Sequence, residues 1–164
     1  MAIIVRDYAP WAVKLKQPDG KGGMETVSFI VEFKELSDEQ IANLKRSQFL
    51  ISYNSMLISE REKLKYAPDD EKVLEDIAML ESGKAEITAT GVNEMTMKEL
   101  VDAVVHRIPD DQLIAPDGSP YGNDDEHIAK FMAKPGILSA IWNAWQQEFI
   151  SRSWVKNSES SDGD

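Results

Sequence analysis

The fold is decided by residues 25–44, ETVSFIVEFKELSDEQIANL, because the hydrophobic period changes within this stretch. Its first half alternates between apolar and polar residues, a period of two that is typical of a half-buried β-strand. One face of that strand carries Val27, Phe29, Val31 and Phe33. In the second half, Ser37 and Gln40 have the spacing of a capping box, in which each side chain accepts a hydrogen bond from the other residue's backbone N–H. The stretch therefore predicts a strand that leads directly into a helix.

A second strand is predicted just upstream. Residues 11–16 alternate as well, with Trp11, Val13 and Leu15 on one face. Between the two alternating segments, residues 17–23 (QPDGKGG) form a dense cluster of turn-forming residues. Together these segments predict an antiparallel β-hairpin. Because an isolated hairpin is only marginally stable in water, we expect its apolar face to pack against another element.

Helices are predicted for most of the chain downstream. Neither Gly nor Pro interrupts residues 37–66, which predicts one long helix. Its apolar stripe is predicted to consist of Ile41, Leu44, Gln48, Ile51, Ser55 and Ile58, with Leu50, Tyr53, Leu57 and Leu64 beside it. Asp69 or Asp70 is expected to cap a second helix that ends at Ser82 and Gly83.

The segment after this second helix is ambiguous. Within residues 84–95, the stretch 87–90 (ITAT) has strand character. A second capping box, formed by Thr96 and Glu99, predicts a further helix whose apolar stripe ends at Ile108.

Two more helices are predicted near the C-terminal end of the chain. A short helix at about 124–133 begins at Asp124 or Asp125, and the last helix covers about 137–152. The fold class is therefore α+β and mainly α-helical, with an N-terminal antiparallel β-hairpin followed by a helical domain of about four to five helices.

These elements predict three regions along the chain. Residues 1–36 form the β-hairpin region, and residues 37–152 form the helical domain with an acidic loop at 109–125. Residues 153–164 are expected to be a flexible polar tail.

Charge and composition narrow the classes of function. The chain carries 18 Lys and Arg against 29 Asp and Glu, a formal net charge of −11, and residues 110–128 contain six acids and no Lys or Arg. This excess disfavours nucleic acid as a partner, since binding phosphates requires Lys and Arg to displace counterions. The absence of cysteine excludes disulfides and zinc-thiolate sites. Without a stretch of about 20 apolar residues, we expect a soluble intracellular protein with no membrane segment.

The acidic loop suggests a metal site, which its spacing does not favour. An EF-hand loop that starts at Asp117 would have the required Gly122 at position six. It would also have Tyr121 at position five, and Ile128 where a bidentate Glu is needed. Weak binding of Mg²⁺ or Ca²⁺ by clustered carboxylates stays an alternative to the interpretation that these acids cap turns and helices.

No pattern in the sequence indicates catalysis. His106 and His127 are the only histidines, and neither has a second ligand at metal-binding spacing, so we expect surface or cap-proximal positions for both. No Ser lies in the G-x-S-x-G frame of a nucleophile elbow. The sequence therefore predicts a protein that is not an enzyme and that has no catalytic, metal or cofactor site.

Two apolar surfaces are candidates for binding another protein. The candidate residues are Ile41, Leu44 and Ile51 on the long helix, and Trp142, Trp145 and Phe149 on the last helix. For the two tryptophans, packing in the core is the alternative interpretation. Binding is considered because aromatic anchors dominate the energetics of many interfaces.

The order of these segments resembles a known family. Its landmarks are the Pro-Asp-Gly turn in 17–20, FIVEFKELSDEQIANL at 29–44, VVHRI at 104–108, the Asp-Gly loop at 117–118 and KPGILSAIWNAWQQEF at 134–149. A strand that leads into a helix, a later Asp-Gly loop, a short helix, a Pro break and an aromatic C-terminal helix make the chain similar to the tail assembly chaperones of phages with long, non-contractile tails.

The resemblance implies a non-enzymatic interaction protein. Such chaperones coat the tape measure protein during tail assembly, keep it soluble and help to recruit the tail tube protein. They act in the host cell cytoplasm and are absent from the finished virion. The partners that the resemblance implies are therefore the tape measure protein, the tail tube protein and further copies of the same chain.

Two other classes of protein stay open. The first is a structural component of the virion, such as a minor tail or tail terminator protein, in which the hairpin would pair with neighbouring subunits. The second is an acidic inhibitor that mimics DNA and binds a host DNA-binding protein, which the net charge of −11 suggests.

Overall fold

The computed structural model of the chain describes residues 7–115, 117–122 and 124–151. The predicted tail at 153–164 lies outside these residues. The elements are β1 (Tyr8–Pro18), β2 (Met24–Lys34), α1 (Asp38–Tyr66), α2 (Glu71–Thr88), α3 (Met97–Val104), β3 (Val105–Arg107), α4 (Asp125–Met132), α5 (Ile137–Asn143) and a π-helical segment (Ala144–Phe149). The predicted class is confirmed, since an antiparallel β-hairpin is followed by five α-helices in the part that the structure describes.

The β-hairpin forms as predicted and is longer than the alternating segments. Strands β1 and β2 pair from Tyr8 opposite Lys34 to Pro18 opposite Met24. Trp11, Val13 and Leu15 are the less exposed positions in the middle of β1, as the alternation indicates. In the turn, the Asp19 carboxylate accepts hydrogen bonds from the backbone N–H groups of Lys21, at 2.7 Å, and Gly23, at 3.0 Å. These bonds lower the pKa of Asp19 because they stabilise the carboxylate.

A third strand corrects the predicted end of α3. The apolar stripe predicted a helix up to Ile108, but α3 ends at Val104 and residues 105–107 form β3, antiparallel to β2. The Arg107 guanidinium donates to the Glu32 carboxylate at 2.7 Å, which raises the pKa of Arg107. Periodicity within residues 96–108 contains no information about this partner, since Glu32 lies 75 residues away.

The chain divides into two compact units. The first unit consists of the described residues in 1–35 and 101–164, and the second unit consists of residues 36–100. The predicted helical region 37–152 is therefore shared between the two units, with a boundary inside α3. The reason lies in the topology of the sheet, because the pairing of β3 with β2 returns the chain to the hairpin.

The first unit packs helices against the apolar face of the hairpin. Val13, Val31 and Phe33 are fully buried on that face. The ring of Phe149 lies 5.2 Å from the ring of Phe33, and the ring of Phe131 lies 5.3 Å from that of Phe29. Buried residues from the other elements complete the core: Val101, Val104, Ile108, Ile137, Ile141, Trp142, Trp145 and Ile150. The hairpin face therefore obtains the partner that its marginal stability requires.

The last helix departs from α geometry in its second half. After α5 the backbone forms the π-helical segment, in which the Ile150 N–H donates to the Trp145 carbonyl. This i→i+5 pattern makes a wider turn than an α-helix. The wider turn is consistent with a broad buried face, since Ala144, Trp145, Phe149 and Ile150 are all buried.

The second unit is built on a helical hairpin of α1 and α2. Ser37 and Gln40 form the predicted capping box at the start of α1, and the Asp70 carboxylate caps α2. The predicted end of α2 at Ser82 and Gly83 is wrong, because the helix continues to Thr88. A single Gly in a helix interior costs only about 1 kcal/mol relative to Ala, which the packing of α2 against α1 offsets.

The apolar face of α1 also differs from the predicted stripe. The buried residues of this helix are Leu44, Ser47, Leu50 and Leu57. Ile58 belongs to the predicted stripe but is 64% exposed. The buried Ser47 is accommodated because its hydroxyl donates to the Asn93 carbonyl at 3.0 Å.

Candidate protein-binding surfaces

The predicted aromatic surface lies in the core of the first unit. Trp142, Trp145 and Phe149 are 2%, 1% and 7% exposed. The two indole rings pack with centroids 4.8 Å apart, and the Phe149 ring also meets Trp11 edge-on at 5.7 Å. Their burial favours the packing interpretation, and a binding role for this surface stays a prediction.

The three candidate residues of α1 belong to the second unit. Leu44 is buried, whereas Ile41 and Ile51 are half-buried. The structure therefore keeps these three on one helix but assigns the aromatic candidates to a different unit. None of the six is among the exposed large hydrophobic residues.

Other apolar residues of the helical hairpin, outside the predicted binding candidates, are exposed. Phe49 and Met56 on α1 are 52% and 51% exposed, and Met79 on α2 is 69% exposed. Met is common at surfaces that bind varied partners, since its side chain is flexible and polarizable. The seven-residue spacing of Phe49 and Met56 places both on one flank of α1, but it does not indicate which flank α2 leaves exposed.

One flank of the helical hairpin forms a groove. The groove has a volume of about 330 Å³ and is lined by Tyr53, Met56, Glu60, Asp76, Met79 and Leu80. Tyr53 packs tightly across the hairpin, since a Cβ atom at Gly83 would lie 2.8 Å from its ring. Gly83 therefore allows a close approach that brings α1 and α2 together at this point. We refer to this cavity below as the α1/α2 groove.

The α1/α2 groove has an acidic wall. The Glu60 side chain is only 15% exposed, and its Oε1 accepts a hydrogen bond from Lys63 at 2.5 Å. Its Oε2 is buried and accepts no hydrogen bond among the residues that the structure describes. The pKa of Lys63 is raised, first by its bond to Glu60 and then by the charges of Asp76 and Asp70. Glu60, Asp76 and Asp70 thus all act on the ammonium group of Lys63.

The opposite flank of the hairpin carries side chains of both charges. A shallow depression there is lined by Leu57, Arg61, Glu81, Lys84, Ala85, Thr88 and Ala89. Arg61 and Glu81 join the two helices across it by an ion pair of 3.1 Å. Because both side chains are more than half exposed, this pair contributes little to stability. The two flanks therefore offer different chemistry to a partner.

A second cavity lies in the first unit, at the turn end of β1. It has a volume of about 570 Å³, and apolar residues make up most of its lining. Its residues are Leu15, Lys16, Gln17, Pro18, Leu113, Ile114, Tyr121, Phe131, Lys134, Pro135 and Ile137. Ile114 is 71% exposed at this cavity, so apolar surface is available here as well.

Two acids of the predicted loop, Asp117 and Asp124, accept hydrogen bonds from nearby backbone N–H groups. Asp117 accepts hydrogen bonds from the Ser119 backbone and hydroxyl, which lower the pKa of Asp117. Asp124 caps α4 through the His127 N–H at 3.0 Å, which lowers the pKa of Asp124. Within residues 7–115, 117–122 and 124–151, no three His, Asp or Glu side chains are grouped so that they could hold a metal ion.

The two histidines occupy the kinds of position that were expected. His106 is exposed on β3 and its ring stacks on the Tyr8 ring at 4.2 Å. His127 lies in the first turn of α4, where its Nδ1 is 2.8 Å from the Asp124 carboxylate. Both histidines make local ring contacts, since His106 stacks on Tyr8 and the His127 ring meets the Tyr121 ring edge-on at 5.1 Å.

Two further findings concern membrane-spanning helices and similarity to known proteins. Among the helices that the structure describes, none has the length and apolar character needed to cross a membrane. Compared with models of protein families, with curated proteins and with solved structures, the chain matches none of them.

Proposed function

We propose that this chain is a non-enzymatic phage tail assembly chaperone that binds the tape measure protein and helps to recruit tail tube subunits. The proposal starts from the order of segments in the sequence. The observation that carries it is the exposed apolar surface of the helical hairpin, which includes Phe49, Met56 and Met79. A protein that keeps an apolar helical client soluble needs such a surface, and a contiguous exposed apolar patch is typical of an interaction site.

The charge of the chain suits the same role. The second unit, residues 36–100, contains 13 acids and 8 bases, a net charge of −5. Net charge far from zero opposes self-aggregation. Many copies along one client would therefore stay dispersed, although each copy exposes apolar side chains.

Co-expression tests the proposal directly. The tape measure protein of the same phage is produced with and without this chain, and the soluble fraction is measured after centrifugation. We expect the client to be soluble and to co-purify only when the chain is present. A client that stays insoluble in both cases would contradict the proposal.

A structural role in the virion is the second candidate function. Strand β1 is at the edge of the sheet order β1-β2-β3 and is 11 residues long, and such an edge is a template for pairing with another strand. Mass spectrometry of purified virions separates the two functions. A chaperone is absent from the particle, whereas a minor tail or terminator protein is present.

A further inference from the structure

The α1/α2 groove combines an apolar stripe with a negative wall. Tyr53 and Met56 are three residues apart on α1, which places them on one flank of the helix, and both line the groove. Met79 faces the same groove from α2. An apolar groove between two helices can receive the apolar face of an amphipathic helix.

The negative wall selects the charge of the occupant. Glu60 Oε2 is buried without a hydrogen-bond donor among the described residues, although the other oxygen of this carboxylate is paired with Lys63. Asp76 lines the same groove and acts on the same lysine. A guanidinium or ammonium group that enters the groove would donate to the Asp76 carboxylate and would be attracted by the charge of Glu60, and such charge-assisted bonds are about twice as strong as neutral ones.

We propose that the α1/α2 groove binds a basic amphipathic helix of another protein. The apolar stripe of that helix packs on Tyr53, Met56 and Met79, and its Lys or Arg side chains pair with Asp76 in the negative potential of Glu60. Only the identity of the partner, a client protein in assembly, rests on the proposed function. The charge and the apolar character of the helix follow from the chemistry of the groove itself.

Two designed peptides test the charge preference. Both are helical and carry the same Leu and Ala stripe, but one has Lys and the other Glu on both sides of the stripe. Binding to the full chain is followed by fluorescence anisotropy. We expect the Lys peptide to bind at least about tenfold more tightly, a difference of about 1.4 kcal/mol. Equal affinities, or no binding of the Lys peptide, would overturn the inference.

Two conservative variants test the carboxylates. Asp76→Asn and Glu60→Gln keep the size of each side chain and remove its charge. Each is expected to weaken binding of the Lys peptide severalfold and to leave binding of the Glu peptide unchanged or stronger. If neither variant changes the ratio of the two affinities, the groove does not discriminate between the charges of the two peptides, and the inference fails.

A matched pair of substitutions tests the location. Met79→Glu introduces a charge at the groove, and Leu74→Glu introduces the same charge at an exposed apolar residue of the same helix that does not line the groove. Circular dichroism establishes that both variants fold. We expect loss of the Lys peptide only for Met79→Glu, and an equal effect of the two changes would overturn the inference.

The same pair separates this inference from the proposed function. Both variants are co-expressed with the tape measure protein and compared with the unmodified chain. If the unmodified chain and both variants keep the client soluble, the chaperone function stands and the groove is not its site. If the unmodified chain keeps no client soluble, the proposed function fails, and the peptide assay still decides whether the groove binds basic helices.

Discussion

At the scale of single residues, a substitution of Trp145 distinguishes a role in core packing from a role in binding another protein. Its side chain is 1% exposed in the core of the first unit. We therefore expect Trp145→Ala to lower the free energy of unfolding by about 3–5 kcal/mol, because it removes a large buried aromatic group and leaves a cavity. Urea denaturation followed by circular dichroism measures this loss.

The control for Trp145 is Phe49→Ala, which truncates an aromatic side chain that is half exposed. Because Phe49 leaves less surface buried, we expect a loss of about 1 kcal/mol or less. A Trp145→Ala variant that keeps its stability and loses the client would instead assign Trp145 to the binding surface.

The ionisation of Asp19 makes the stability of the hairpin turn depend on pH. Its folded-state pKa is lowered by the hydrogen bonds from the Lys21 and Gly23 backbones, so the unfolded chain binds a proton more readily than the folded one. The stabilisation is complete above the ordinary pKa of an aspartate, about 3.9, and is lost as the pH falls through the lower folded-state value. We expect Asp19→Asn to be less stable than the unmodified chain at pH 7, with a difference that shrinks toward pH 3.

Urea midpoints at a series of pH values test this expectation. Asp69→Asn, which removes the same charge from an exposed position, is the control. Its stability difference should change less with pH than that of Asp19→Asn. A difference for Asp19→Asn that is constant between pH 7 and pH 3 would show that the carboxylate charge does not stabilise the turn.

At the scale of elements, the sequence predicts those whose cause is local. The β1–β2 hairpin follows from alternation around a turn-rich segment, and α1 follows from a capping box at Ser37 and an uninterrupted helical segment. Strand β3 has no such local cause, since it depends on pairing with β2 and on the contact between Arg107 and Glu32. Because the pairing that forms β3 is not local, the helical period of the sequence predicts that α3 ends at Ile108, whereas it ends at Val104.

The candidate site was less predictable than the fold. The spacing of apolar residues predicts a stripe that includes Ile58, but the position of α2 determines which side of α1 is buried. Phe49 and Met56 are therefore exposed for a reason that lies outside their own helix. The burial of Trp142 and Trp145 likewise depends on the hairpin, to which no local pattern connects them.

The packing of Tyr53 against Gly83 gives a prediction for the α1–α2 pair. Ala at position 83 improves helix propensity by about 1 kcal/mol, but its Cβ would lie 2.8 Å from the Tyr53 ring. We expect Gly83→Ala to stabilise the chain by the full amount only in a Tyr53→Ala background. In the unmodified background, the displaced ring offsets the gain.

A double-mutant cycle of urea denaturation measures this coupling, since residues in contact give non-additive free energies. Additive effects of the two substitutions would mean that Tyr53 moves away from α2 at no cost. The approach of the two helices would then not depend on the absence of a side chain at Gly83.

At the scale of the whole molecule, each of the two units has buried residues of its own. The first unit contains Val31, Phe33 and Trp145, and the second contains Leu50 and Leu57. We therefore expect each unit to have its own free energy of unfolding.

The distribution of tryptophan makes this separation measurable. The described tryptophans, Trp11, Trp142 and Trp145, all belong to the first unit, whereas the two longest helices, of 29 and 18 residues, belong to the second. Tryptophan fluorescence therefore reports on the first unit, and far-UV circular dichroism is dominated by the second. Leu57→Ala removes a buried side chain of the second unit and is expected to cost about 2–5 kcal/mol.

For Leu57→Ala, we expect the denaturation midpoint from circular dichroism to fall while the midpoint from tryptophan fluorescence stays unchanged. Ile141→Ala, which truncates a fully buried residue of the first unit, should produce the opposite pattern. Coincident transitions of both probes in both variants would indicate one cooperative two-state unit. In that case, binding at the helical hairpin would also alter the stability of the first unit.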